Sequence, residues 1–141
     1  PTRSGFPAVA PYLSKHVTGD RIRAGQAVLR GNSGTLAAIE RQYGVPGEVL
    51  VAIWGKESNY GSYKGDFDLS RSLATLAWEG RRRELFAREW VDLLKVADKG
   101  YARSSLVGSW AGAFGNPQFL PSVYLRLAVD GDGDGRADIF S

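Results

Sequence analysis

A mostly α-helical domain is what this sequence predicts, and three observations carry that expectation. Apolar residues recur at three- and four-residue steps through residues 33–43, 49–57, 70–78 and 82–97. Glycine closes these runs at Gly44, Gly80 and Gly100, where a helix C-terminus favours a left-handed residue. Sustained alternation of apolar and polar residues, the signature of half-buried strands, is missing. The expectation is six or seven helices in one domain spanning 1–141.

In chain order, residues 1–11 carry Pro1, Pro7 and Pro11 and predict an irregular lead-in. Tyr12 to His16 suits a short helix, and Thr18-Gly19-Asp20 a turn or N-cap. Leu36, Ile39 and Tyr43 stand at helical spacing, with Glu40 and Arg41 outside. The next helix enters through Val45-Pro46 and runs Val49-Leu-Val-Ala-Ile-Trp-Gly-Lys-Glu57-Ser-Asn-Tyr-Gly61, with Gly61 as a candidate C-cap. Residues 59–69 predict a polar loop with Tyr60 and Tyr63 exposed. Leu73, Leu76 and Ala77 define the inner face of the helix over 70–78. Leu85, Phe86, Trp90, Leu93, Leu94 and Ala97 define that of the longest helix. Residues 108–121 alternate small and bulky side chains, as in a close-packed turn region. Pro121-Ser122 opens a last helix to about Val129.

Composition narrows the chemistry. Cysteine is absent, which excludes disulfides, zinc-thiolate sites and cysteine nucleophiles. A single histidine, His16, stands beside no nucleophile-elbow pattern, which argues against a serine triad. The net charge of +3 suits an anionic polymer without choosing one, and the basic residues are too dispersed and too rarely interleaved with aromatics for a nucleic-acid binder. No apolar run reaches the length of a membrane span, and the opening Pro1-Thr2-Arg3, with neither an initiator Met nor a signal-peptide pattern, suggests a processed or trimmed product and says nothing about compartment.

Three stretches carry candidate chemistry. In the first, Val49, Ile53 and Glu57 follow one another at four-residue steps, so Glu57 is expected on the inward stripe of its helix. A carboxylate there, near the negative end of the helix dipole, is expected to hold its proton to higher pH, as a general acid requires. The plainer account turns Glu57 to solvent. In the second stretch, residues 108–122, Ser109 and Gln118 offer a hydroxyl and an amide suited to sugar hydroxyls or an acetamido group. Trp110 and Phe119 suit the apolar faces of sugar rings. Most glycosidases use two carboxylates, and Asp66 and Asp68 are the candidates to pair with Glu57. The third stretch, Asp130-Gly-Asp-Gly-Asp-Gly-Arg-Ala-Asp138, follows the start of an EF-hand-like calcium loop. Asp130, Asp132 and Asp134 take its first, third and fifth positions. Gly135 takes the sharp turn, Arg136 a carbonyl position and Asp138 the ninth. Ser141 stands where a bidentate Glu is usual, which predicts weak Ca2+ affinity or a ligand supplied from elsewhere; the plainer account is a flexible Asp/Gly tail. The cluster Arg81-Arg82-Arg83 reads as a solvated face or an anion site.

Taken together, Glu57-Ser-Asn-Tyr-Gly61, Gly108-Ser-Trp-Ala-Gly-Ala-Phe-Gly115, Gln118-Phe-Leu-Pro-Ser122 and the Asp-Gly tail, with Tyr43-Gly-Val-Pro46 and Leu73-Ala-Thr-Leu76, resemble the lytic murein transglycosylase B family over roughly residues 12–140. The resemblance implies a lysozyme-like (goose-type) catalytic domain with a single EF-hand-like calcium loop. It implies cleavage of the MurNAc-GlcNAc β-1,4 bond of peptidoglycan with formation of 1,6-anhydro-MurNAc. Glu57 would be acid and then base, with no second carboxylate. Ser109 and Gln118 would contact the muramic acid, Phe119, Tyr60 and Tyr12 would line the glycan site, and Arg81 and Arg82 would face peptide-stem carboxylates. Ca2+ would be structural, held by Asp130, Asp132, Asp134, Arg136 and Asp138, with no cofactor needed for chemistry. The implied setting is the bacterial periplasm or cell envelope, with peptidoglycan strands as partner and membrane or enzyme association unspecified. Family members continue past the calcium loop, which implies that this chain is truncated at its C-terminus. The alternatives are a hydrolytic muramidase and a catalytically silent peptidoglycan- or calcium-binding module.

Overall fold

The structure, a computed structural model, describes residues 9–140. The predicted lead-in over 1–8 and the twelfth loop position, Ser141, lie outside the described residues. Two compact units divide the chain, residues 1–60 and 61–141. The described residues form seven α-helices, one 3-10 turn and two short strands.

The first unit holds α1 (Val9–His16), α2 (Gly19–Gly31), α3 (Ser33–Tyr43) and α4 (Gly47–Ser58). Residues 9–11 are helical, not irregular, because Pro11 falls in the first turn of α1, where its missing N–H costs nothing. Helix α2 is an addition to the sequence expectation. Thr18 caps it by accepting from the Arg21 N–H, and Asp20 occupies its positively polarised first turn. Gly44 ends α3 in the left-handed region, as its position predicts.

Helix α4 packs against α2 and α3 through Gly47, Val51, Gly55 and Ser58, its buried residues. This reverses the face expected from the sequence: Val49 and Ile53 are about half exposed, and Glu57 is exposed with them. The helix also ends earlier than Gly61. Asn59 is the C-cap at φ 50°, and Tyr60 follows at φ 57°. Two left-handed non-glycine residues in succession are unfavourable unless neighbouring contacts hold them. The Tyr60 side chain supplies that hold. Its hydroxyl donates to the Arg21 carbonyl at 2.9 Å, and its ring meets Trp54 edge-on at 6.3 Å. It stands where Gly25 of α2 and Gly55 of α4 have no side chain: a Cβ on Gly55 would lie 2.5 Å from Tyr60 Cζ, and one on Gly25 2.7 Å from its hydroxyl oxygen. Tyr60 is therefore half-buried rather than an exposed loop residue.

The second unit contains β1 (Phe67–Asp68), α5 (Leu69–Glu79), α6 (Arg83–Asp98), the 3-10 turn Arg103–Ser105, β2 (Val107–Gly108) and α7 (Pro121–Leu127). The strands pair antiparallel, Phe67 with Gly108 and Asp68 with Val107. The core collects Leu69 and Leu73 of α5, Leu93 and Val96 of α6, and Leu106, Phe114, Tyr124 and Ile139. Phe114 is fully buried, edge-on to Tyr124 and Phe140. The inner face of α6 carries one surprise: Glu89, four residues before Leu93, is 4% exposed.

Gly55→Ala is expected to destabilise the protein by on the order of 1–3 kcal/mol, because the new methyl overlaps the Tyr60 ring. Urea unfolding of Gly55→Ala in the wild-type and Tyr60→Ala backgrounds checks this. A cost that survives removal of the ring would refute the contact as its cause.

Candidate active site

Glu57 stands in the last turn of α4, exposed, at the end of the stripe begun by Val49 and Ile53. Its position is set by its neighbours rather than by contacts of its own. Ser58, 1% exposed, returns its hydroxyl to the Trp54 carbonyl at 3.3 Å. Asn59 and Tyr60 both direct their backbone N–H groups to that same carbonyl. The burial expected for Glu57 is not there, and its carboxylate is open to whatever reaches that stripe. On the same unit, Tyr12 lines a groove of about 280 Å³ together with His16, Ile22, Lys56 and Tyr60. The Tyr12 ring lies 4.3 Å from His16, and the Lys56 ammonium stands 5.8 Å over its face.

Within the second unit, the 108–122 stretch folds as two linked turns. Ser109 donates its N–H to the Ala113 carbonyl, and its hydroxyl accepts from the Ala113 N–H at 3.0 Å. Phe114 bridges to Gly108 on one side and to Phe119 on the other. Between Phe114 and Phe119, Gln118 is held at φ 54°, a strained value for a side chain of its size. Its amide nitrogen donates to the Gly115 carbonyl at 2.9 Å and the Lys64 carbonyl at 3.3 Å. Both amide hydrogens are thus engaged, which leaves the Gln118 carbonyl oxygen to accept from a ligand N–H or hydroxyl. Ser109 and Gln118, nine residues apart in sequence, flank the Phe114 backbone. Phe119 is 37% and Trp110 63% exposed, so both offer ring surface.

The two candidate carboxylate partners differ. Asp66 is an exposed loop residue. Asp68 is a structural cap: its Oδ1 accepts from the Arg71 N–H at 3.0 Å and starts α5, and its Oδ2 accepts from Arg103 Nη2 at 3.0 Å. The Arg71 N–H and the Arg103 guanidinium hold its carboxyl below the usual carboxylate range. Of the arginines, Arg81, Arg82 and Arg83 are all exposed at the start of α6, with Arg81 beside Glu79 at 3.9 Å.

The Asp-rich segment is already curled as a cation loop would be. Asp130 accepts from the Gly133 N–H at 2.7 Å and the Gly135 N–H at 2.8 Å. Asp132 and Asp134 accept from the Asp134 and Arg136 N–H groups. The Gly135 and Gly133 amides keep the Asp130 carboxyl ionised below the usual range. Carboxylate oxygens of Asp130, Asp132 and Asp134 lie within 4.8 Å of one another, all exposed, a donor set that fits a hard divalent cation. Asp138 stands apart from this group, accepting from the Phe140 N–H and the Tyr101 hydroxyl.

With this geometry in hand, the family is plain: the chain belongs to the transglycosylase SLT domain family, whose pattern matches residues 3–141. Among its relatives is the Escherichia coli (strain K12) membrane-bound lytic murein transglycosylase B, 35% identical over 148 residues, a match covering 99% of this chain and 41% of that protein. Pseudomonas aeruginosa SltB3, solved in complex with NAG-NAM-pentapeptide, is 43% identical with a TM-score of 0.90 over 96% of this chain and 37% of SltB3. The E. coli lytic transglycosylase Slt35 in complex with calcium is 35% identical with a TM-score of 0.88 over 94% of this chain and 43% of Slt35. The chain thus spans less than half the length of each of these relatives.

Asp68→Ala removes the cap of α5 and is expected to cost about 1 kcal/mol at neutral pH. The wild-type carboxyl titrates lower folded than its unfolded value of about 3.9. Its contribution is therefore complete above that value and lost as pH falls through the lower, folded one. Urea unfolding from pH 7 down to strongly acidic pH should show the difference between wild type and variant closing in that acid window. A difference that stays constant with pH would contradict the role of the charged cap.

Proposed function

We propose that this chain is the catalytic domain of a lytic transglycosylase that cleaves the MurNAc-GlcNAc β-1,4 bond of peptidoglycan. The observation that carries the reading is an exposed carboxylate, Glu57, on an unusually constrained helix end, inside a chain that belongs to the transglycosylase SLT domain family. Relatives bound to NAG-NAM-pentapeptide and NAG-anhNAM-pentapeptide support peptidoglycan as the substrate class and an anhydro sugar as the product.

In this reading the Glu57 carboxyl donates its proton to the glycosidic oxygen as the C1–O bond breaks. The carboxylate then takes the proton of the muramic C6 hydroxyl as that oxygen bonds to C1. The proton returns to Glu57 and no water is consumed, so one carboxylate suffices. Ser109 and the Gln118 carbonyl oxygen contact the muramic acid. Phe119 and Tyr12 offer ring faces to the glycan, Arg81 and Arg82 face stem-peptide carboxylates, and Tyr60 contributes chiefly by holding α4. The engagement of Asp68 as a helix cap removes one of the two carboxylates that a hydrolytic muramidase could pair with Glu57, and leaves the exposed Asp66 as the other.

The fold we assign is lysozyme-like, of the goose type, as one catalytic domain with a single EF-hand-like calcium loop. Asp130, Asp132 and Asp134 would hold Ca2+ with the Arg136 carbonyl and Asp138, and the ion would lock the loop rather than enter the chemistry. No described helix is long and apolar enough to cross a membrane. Relatedness to a membrane-bound lytic murein transglycosylase supports a setting in the bacterial cell envelope, and we assign the protein to the periplasm as the compartment where peptidoglycan is reached.

Glu57→Gln is expected to lower turnover of purified peptidoglycan by on the order of 10²–10⁴-fold. Mass spectrometry of wild-type digests should show sugar ends one water lighter than reducing ends. Undiminished activity in the variant, or reducing ends alone, would overturn the proposal. Calcium should raise the melting temperature of the wild type, with the rise lost in Asp132→Ala; a titration without any shift would remove the site.

A further inference from the structure

The one buried acidic side chain among the described residues is not in the proposed machinery. Glu89 lies on the inner face of α6 between Leu85 and Leu93, and both its oxygens are engaged by one residue. Oε2 accepts from the Ser122 N–H at 3.0 Å, and Oε1 from the Ser122 hydroxyl at 2.6 Å. A buried carboxylate is costly without strong partners, and this pair supplies them.

The start of α7 shows why Ser122 is the partner. Pro121 has no N–H. The Val123 and Tyr124 N–H groups both reach the Leu120 carbonyl. Ser122 holds the one N–H of that turn without a partner in its own segment, and Leu120 offers no side-chain cap. Glu89 thus caps α7 from another helix. Three residues upstream of Pro121, Gln118 sits at φ 54° at the end of the Phe114–Phe119 turn. That strain persists only while both ends of the turn are held. Phe114, fully buried, holds one end, and the Glu89–Ser122 pair holds the other.

We infer that Glu89 is a positioning residue: through Ser122 it fixes the 114–122 turn and so the place of the Gln118 carbonyl oxygen. The functional consequence rests on the substrate role proposed for Gln118. Glu89→Gln keeps the volume of the side chain but replaces one acceptor with an NH2 group. Ser122→Ala removes only the hydroxyl and serves if the first variant folds poorly.

In the full-length protein, Glu89→Gln should lower kcat/KM on peptidoglycan about tenfold, and the double variant with Gln118→Ala should be no worse than Gln118→Ala alone. Losses that multiply, or a Glu89→Gln enzyme with wild-type kcat/KM, would overturn the inference. Should Gln118→Ala itself match wild type, the substrate role of Gln118 falls, and amide exchange decides the positioning claim. Faster exchange at Phe114 and Phe119, with the Leu93 and Val96 amides unchanged, would sustain it; unchanged exchange at the turn would refute it.

Discussion

The end of α4 depends on a tyrosine standing where two helices have no side chains. Tyr60 fills the space above Gly25 and Gly55 and bonds to the Arg21 carbonyl. Glycine inside a helix costs roughly 1 kcal/mol relative to alanine, and here Gly25 of α2 and Gly55 of α4 both lie buried in mid-helix. What offsets that cost is a fixed exit for the chain. With Tyr60 seated, Asn59 and Tyr60 are kept left-handed, Ser58 is buried, and Glu57 is left on the open side of the last turn. A carboxylate can be precisely held without being buried, provided that the backbone beneath it is.

The second unit solves a similar problem with charge. Its 108–122 stretch carries polar side chains within a segment that is mostly small and apolar. The Ser109 hydroxyl accepts from the Ala113 N–H, and the Gln118 amide donates to the Gly115 and Lys64 carbonyls, so neither needs burial among other polar side chains. The exit from that segment is tied by Glu89, which does for α7 what a local Thr or Asp does for α2 and α5. Helix capping in this protein is thus both local, by Thr18 and Asp68, and long-range, by Glu89.

These constraints separate the residues proposed to act on a ligand from the residues that hold them. Glu57, the Gln118 carbonyl oxygen and the Phe119 ring are available to solvent or half so. Tyr60, Asp68 and Glu89 have their polar atoms occupied. The distinction is legible only from partners. In sequence, Tyr60 lies in the same motif as Glu57, and Asp68 looked as well suited to pair with it as Asp66.

Much of the fold was determined by the sequence alone. Helical spacing with Gly44 and Gly80 as stops placed α3 and α5 nearly to the residue, and Pro121 opened α7. Helix α2 is not legible in the sequence, because its apolar residues are sparse and glycine interrupts it, although Thr18 and Asp20 mark its start. The order of the motifs was enough to indicate the family. What the tertiary structure decided is which face of each helix turns inward. Periodicity relates residues within a helix, but the inward face is chosen by the neighbour it packs on. For α4 that neighbour needed the narrow Gly47–Val51–Gly55–Ser58 face, which turned Val49, Ile53 and Glu57 outward. The criterion of a carboxylate on an apolar stripe was sound but met its case in Glu89, between Leu85 and Leu93. Only the approach of Ser122, from a distant part of the chain, makes that burial tolerable.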